Sequence, residues 1–163
     1  MMLDELTPLA ARVAETLKAR GQTVAVADGA SGGLISAGLL TIAGATRFYM
    51  GGGVVYSLKG RDILLDLEPE ALKGMRSVTE PYALLQARAI RDRFGADWGV
   101  AESGSAGPGK HPFGADAGMS AIAVVGPGVA LARTVNTGEA DRVRNMQSFA
   151  LAATSLLDEA LRS

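Results

Sequence analysis

The chain has no cysteine, which excludes disulfides, thiolate metal ligands and a thiol nucleophile and suits a reducing, cytoplasmic setting. It has a single histidine, His111, so a histidine-clustered metal centre is excluded and no metal or other cofactor is expected. No apolar run approaches the roughly 20 residues needed to cross a bilayer. No basic-then-apolar leader opens the chain, so neither membrane insertion nor export is expected. Charge of either sign is not in excess: 16 Lys and Arg stand against 17 Asp and Glu, a net of −1. Nucleic acid and anionic membranes both require a clustered positive surplus, and neither is expected as a partner. Internal repeats, linkers and charge blocks are also missing.

What remains is an ordinary globular composition, 48% hydrophobic and 20% charged over 163 residues. That length is enough for one domain, residues 1–163, with a core of its own. Leu3, Leu6, Leu9, Val13 and Leu17 recur at helical spacing. Thr7 and Pro8 read as the cap and first turn of that helix, and Gly21 as its stop. Strands are expected at 22–28, 48–57, 97–102, 119–125 and 129–135, the last two joined by Gly126-Pro127-Gly128. Helices are expected at 34–42, 59–65, 67–73, from Thr79 to about Arg93, and from about Ala140 to Leu161, the last burying Val143, Met146 and Phe149. Residues 103–118 form a long loop, and loops of that length in compact domains usually carry function. Helices alternating with parallel-type strands, plus one late hairpin, predict a three-layer α/β/α sandwich on a mixed β-sheet.

The central stretch is Val24 to Gly33, VAVADGASGG. An apolar strand ends in Asp28 and passes through a glycine-rich turn into a helix, where unpaired first-turn amides attract anions. Here Asp28 can anchor a substrate hydroxyl or amine, with Ser31, Gly32 and Gly33 at the helix start; equally, Asp28 and Ser31 can simply cap that helix. The spacing of the glycines fits neither a phosphate loop nor a dinucleotide fingerprint. After the second strand, Tyr56, Ser57, Lys59 and Arg61 place a lysine near hydroxyls, which permits a Ser/Lys dyad and also fits a solvated basic pair. The 103–118 loop offers amides, Ser105, Gly107 and His111, suited to an oxyanion hole or an anion nest. Arg142, at the start of the last helix, can face an anion at the sheet end. Three consecutive glycines in the second strand mark close approach by a ligand or another chain, leaving room for a homo-oligomer.

Taken together these stretches resemble the C-terminal domain of the competence/damage-inducible CinA family, the nicotinamide-nucleotide amidases. The resemblance covers nearly the whole chain. It rests on ADGASGG where the family has AES-x-TGG, on GGGVVYS, and on Val78-Thr79-Glu80-Pro81. It rests also on SGSAGPG where the family has TGIAGPGG, and on TGEADRVR. The resemblance implies a domain that hydrolyses the carboxamide of nicotinamide mononucleotide to the acid and ammonia, using a Ser/Lys dyad. The family serine falls on Gly29, its glutamate on Asp28 and its lysine on Arg61, which stays protonated and cannot serve as a base.

Two nucleotide-directed functions follow, beside a third, a structural partner protein in a competence or DNA-damage pathway. One is an amidohydrolase of a pyridine nucleotide or similar small amide. It would use Ser31 as displaced nucleophile, Lys59 as base, Tyr56 beside them and loop amides near Ser105 to Gly107 as oxyanion donors. The other is a catalytically degenerate nucleotide-binding or regulatory domain, with Asp28, Ser31, Arg61 and Arg142 gripping ribose and phosphate.

Overall fold

Alternation along the strands sets the two faces of the sheet. In β1 (Val24–Asp28), Val24 and Val26 point to one side and Ala25 and Ala27 to the other. The same division recurs in β3 (Trp98–Ser105), with Trp98 and Val100 opposed to Ala101. It recurs again in β4 (Met119–Gly126), with Ile122 and Val124 opposed to Ala121 and Ala123. The bulky face is covered by α1 (Met2–Arg20), α2 (Leu34–Leu40) and α6 (Arg142–Leu161), which bury Leu17, Ile35 and Leu157 against it. Each such side chain contributes roughly 1.5–3 kcal/mol on burial. The alanine face receives α5 (Glu80–Phe94) through Ala83, Ala87 and Ile90. Small residues let that helix lie close: a Cβ on Gly99 would collide with the Ala87 carbonyl.

The computed structural model describes residues 2–163. Its five strands lie in the order β2-β1-β3-β4-β5, β2 being Tyr49–Val54 and β5 Val129–Asn136. β1 pairs parallel with β2 and β3, whereas β3–β4 and β4–β5 are antiparallel. This is the three-layer α/β/α sandwich on a mixed sheet that the sequence predicts. The carboxyl ends of β1, β2 and β3 therefore open on one edge, where ligands of such sheets collect. β1 leads there into the turn before α2. β2 leads through Ser57 into α3 (Leu58–Leu65), and β3 leads into the 106–118 loop. A short helix, α4 (Pro69–Leu72), precedes α5.

Three boundaries differ from expectation for physical reasons. Helix α1 is already formed at Met2, with Pro8 inside it rather than in its first turn. Pro8 lies on the exposed side and Leu6 is buried, so packing outweighs one missing backbone bond. β3 continues to Ser105, because Ser103, Gly104 and Ser105 pair with Ala121, Ser120 and Met119 of β4. Helix α6 begins at Arg142, since the Asp141 side chain caps it by accepting the Arg144 amide at 3.0 Å. Val143 is consequently 57% exposed and not part of the buried face.

Candidate active site

Asp28 is 1% exposed and all its acceptor capacity is directed into its own chain. Oδ1 accepts the Ser31 hydroxyl at 2.6 Å and the Ile35 amide at 3.0 Å. Oδ2 accepts the Ser36 amide at 3.2 Å and the Ser36 hydroxyl at 2.9 Å. The carboxylate thus fills the first turn of α2, as a helix start with unpaired amides invites.

A second carboxylate fills the turn itself. Glu102, also buried, lies on β3 one residue beyond the Ala27–Ala101 pair. Its Oε1 accepts the Gly29 amide at 3.1 Å and the Ser31 amide at 2.7 Å, and its Oε2 accepts the Ser120 hydroxyl at 2.9 Å. Burial pushes the Glu102 carboxyl above its ordinary value, and the Asp28 charge adds to this, while the bonds from Ser31 and Ser120 oppose it. The backbone is equally tight, because a Cβ on Gly29 would strike the Glu102 carbonyl oxygen. No side chain fits at Gly29 unless β3 moves.

Beside this filled turn lies an open cavity of about 410 Å³. Its apolar and aromatic lining comes from Val55, Tyr56, Leu58, Tyr82 and Phe113, the Phe113 ring lying 5.4 Å from that of His111. Its polar lining comes from Ser103, Ser105 and Gln86, from Lys110 and His111 of the 106–118 loop, and from Arg142. Arg142 ties the 106–118 loop to Tyr56: Nη1 donates to the Gly107 carbonyl at 2.6 Å and Nη2 to the Tyr56 hydroxyl at 3.1 Å. Asn145, fully buried on α6, holds the loop from behind by donating to the Ala106 and Glu139 carbonyls. Phe149 packs between Ala30 and Ala106, so α6 fixes both the turn and the loop. His111 Nδ1 accepts the Phe113 amide at 3.1 Å, and partial burial lowers its pKa, favouring a neutral ring that carries its proton on Nε2. Near Ser77, Val78 has φ 62°, a left-handed conformation that costs a β-branched residue about 1–3 kcal/mol. Its amide donates to the Ser103 hydroxyl oxygen at 2.9 Å.

The residues singled out from sequence divide accordingly. Tyr56, Ser105, Gly107 and Arg142 share the cavity. Asp28, Ser31, Gly32 and Gly33 do not line it; Ser31 is fully buried, and Gly32 and Gly33 take positive φ values of 67° and 99° that shape the turn. Lys59 projects from α3 into solvent, with no hydrogen bond or ion pair to any described residue, so the structure does not join it to Ser31. Arg61 sits behind the cavity wall, bonded to Asp62 at 3.0 Å and reaching the Tyr82 hydroxyl at 3.5 Å. Sequence reading gave no role to Tyr82, Gln86, Ser120 or Asn145. Each is an isolated residue in a helix or strand, and only the fold brings it to this edge.

The chain is thus a three-layer α/β/α domain with a half-apolar, cation-rimmed cavity at the carboxyl edge of its parallel strands, the edge where ligands of such sheets collect. The model of the CinA C-terminal domain matches residues 6–161, and the chain belongs to that family. A CinA-like protein of Prochlorococcus marinus is 37% identical over 119 residues, covering 73% of this chain and 28% of the relative. One from Myxococcus xanthus is 36% identical over 137 residues, covering 83% and 32%. The chain therefore spans about a third or less of the length of these relatives. Among solved structures, the competence damage-inducible protein A of Klebsiella pneumoniae superposes with a TM-score of 0.88 at 28% identity, covering 96% of this chain and 97% of that one. The competence/damage inducible protein CihA of Agrobacterium tumefaciens gives 0.88 at 26% identity, covering 97% and 96%.

Proposed function

We propose that this chain is a ligand-binding member of its family that holds a pyridine nucleotide, or a related small anionic metabolite, without hydrolysing it. One observation carries the reading. The anion-attracting amides at Gly29 and Ser31 are already occupied by Glu102, and the Ser31 hydroxyl is committed to Asp28. Hydrolysis of a carboxamide needs a reachable nucleophile and a base within hydrogen-bond distance. A buried serine bonded to Asp28 and a solvated lysine with no hydrogen bond to it meet neither condition. Binding asks for less. The aromatic rings that line the cavity can receive a flat ring, and Arg142 and Lys110, also among its lining, can receive a phosphate. A chain without cysteine also suits action in the cytoplasm.

The second reading is the amidohydrolase, releasing ammonia from nicotinamide mononucleotide or a similar amide. Tyr56 and Ser57, which match the family's Tyr-Ser pair, both line the cavity and favour it. Calorimetry with nicotinamide mononucleotide, run beside an ammonia assay, separates the two. Binding without ammonia is expected, and Ser31→Ala should leave that binding within about twofold of wild type. Ammonia release that Ser31→Ala abolishes would overturn the binding reading in favour of the amidase. Neither binding nor turnover would remove both.

A further inference from the structure

Among the described residues, Gln86 is the deeply buried polar side chain of the cavity that has no partner. On α5 it follows Ala83 by three residues and precedes Ile90 by four, so it shares the face that packs on the sheet. Its amide makes no hydrogen bond to any described residue. Yet no fully sealed side-chain nitrogen or oxygen among these residues lacks a partner, so both atoms of the Gln86 amide keep a little accessible surface. Gln86 is only 3% exposed and lines the cavity, which is where that surface opens. A glutamine that served packing alone would have its amide satisfied within the protein, since a buried polar group without a partner costs free energy.

Two other buried side chains of the cavity have spent only part of their capacity. Tyr82 stands one turn before Gln86 on the same helix face, and its hydroxyl oxygen receives Arg61 at 3.5 Å. The Ser103 hydroxyl oxygen accepts the Val78 amide at 2.9 Å. Neither hydroxyl gives its own proton to a described residue, so each keeps a donor for a ligand. Gln86 keeps N–H donors and a carbonyl acceptor together.

We propose that Gln86 selects the ligand of this cavity by pairing with a planar amide edge, a C=O beside an N–H. Resting on the binding reading above, this makes the carboxamide of a pyridine nucleotide the group that Gln86 reads and the deamidated acid the form that it rejects. Two amides exchange one N–H···O bond in each direction, and no partner in the protein fixes which way the Gln86 amide is turned. A carboxylate can accept from Gln86 but has no proton to return, which leaves the buried Gln86 carbonyl oxygen unpaired against a negative charge. Arg61, the cation that reaches Tyr82, already holds the Asp62 carboxylate at 3.0 Å and brings no unpaired charge to such an acid. Lys110 and Arg142 face the phosphate that both forms carry, so they do not tell the two apart.

Calorimetry on wild type and on Gln86→Met tests this. Methionine keeps an unbranched side chain of similar length without the amide. The probes are nicotinamide mononucleotide, its acid nicotinate mononucleotide, and uridine monophosphate, whose base carries the same amide edge without a pyridine. Wild type should prefer the amide over the acid about tenfold or more, because a site built to hydrogen-bond rejects an analogue that cannot return the bond. Gln86→Met should bring the two within about threefold of each other, with thermal unfolding to check that it folds. The wild-type ratio needs no substitution and can refute the proposal by itself. Equal wild-type affinities, or a preference that Gln86→Met retains, would overturn the role of Gln86 and leave the binding reading standing. Uridine monophosphate bound in place of both pyridine nucleotides, and lost in Gln86→Met, would uphold Gln86 as the reader of an amide edge and overturn the pyridine ligand. No binding of any of the three would overturn both.

Discussion

The turn at residues 28–33 and the cationic rim of the cavity beside it contrast in one respect, the fate of their polar groups. In the turn, two buried carboxylates take up the amides and hydroxyls of Gly29, Ser31, Ile35 and Ser36. At the cavity, Arg142, His111 and Lys110, the last paired with Asp116 at 3.5 Å, stand at partly open positions, where a ligand can compete for them. The first region is finished within the chain and the second is not. Buried polar groups must find partners or cost free energy, so a glycine-rich turn that recruits its own carboxylate becomes structure. A cationic rim half in water keeps capacity to bind.

The largest expected effect comes from breaking the finished region. Glu102→Ala leaves the buried amides of Gly29 and Ser31 unpaired, and each such orphan costs roughly 1–3 kcal/mol. Urea unfolding should therefore register a loss of several kcal/mol. A loss below about 1 kcal/mol would mean that the turn does not depend on Glu102, and the contrast between the two regions would fail.

A milder change sharpens the same point through pH. Glu102→Gln keeps one carbonyl oxygen for the two amides, but it cannot ionise. In the wild type, burial raises the folded-state pKa of Glu102 above its ordinary 4.5. A group shifted in that direction stabilises the fold fully below the unfolded value and loses that contribution as pH rises through the folded value. Wild-type stability should fall, relative to Glu102→Gln, as pH climbs from about 4.5 into the raised range, by at most about 1.4 kcal/mol per pH unit for one group. Thermal melts of both proteins from acid to neutral pH give the difference curve. A difference curve that rises instead would mean the hydrogen bonds outweigh burial.

On the open side, Arg142→Ala removes the tie between Gly107 and Tyr56 and a cation facing the cavity. Arg142 is exposed at the start of α6, so the fold should lose little, under about 1 kcal/mol. Nicotinamide mononucleotide binding should weaken about tenfold, which is about 1.4 kcal/mol. If stability falls instead while binding holds, the cavity wall is as structural as the turn.

The layered fold was legible because strand alternation and helical periodicity are local. VAVAD, AIAVV and the apolar stripe of α1 each announce their faces within a few residues. The candidate site was only half legible. Asp28 and Ser31 were visible as a turn that either binds or caps, and the choice between those outcomes depends on Glu102, 71 residues beyond Ser31. Nothing local to Glu102 tells that β3 aims its carboxylate under that turn. The same holds for Tyr82 and Asn145, whose helical neighbours give no sign that one lines a cavity and the other anchors a loop. Ser103 to Ser105 read as loop because glycine and serine are poor strand formers, yet pairing with β4 overrides that preference.

Lys59 carries the smallest expected effect and the most direct comparison with Ser31. It occupies the second position of α3, exposed and without a hydrogen bond or ion pair to any described residue. A positive charge there meets the positive end of the helix dipole, and removing it relieves a few tenths of a kcal/mol at most. Lys59→Ala should therefore be neutral or slightly stabilising, within about 0.5 kcal/mol, with nucleotide binding unchanged. A base working with Ser31 would behave oppositely, since its loss would abolish ammonia release at little cost to stability. Should Lys59→Ala leave the fold intact and stop ammonia release by a wild type that produces it, then the turn must open in solution to bring α3 and Ser31 together. The division between a finished turn and an open wall would then describe only one state of the site.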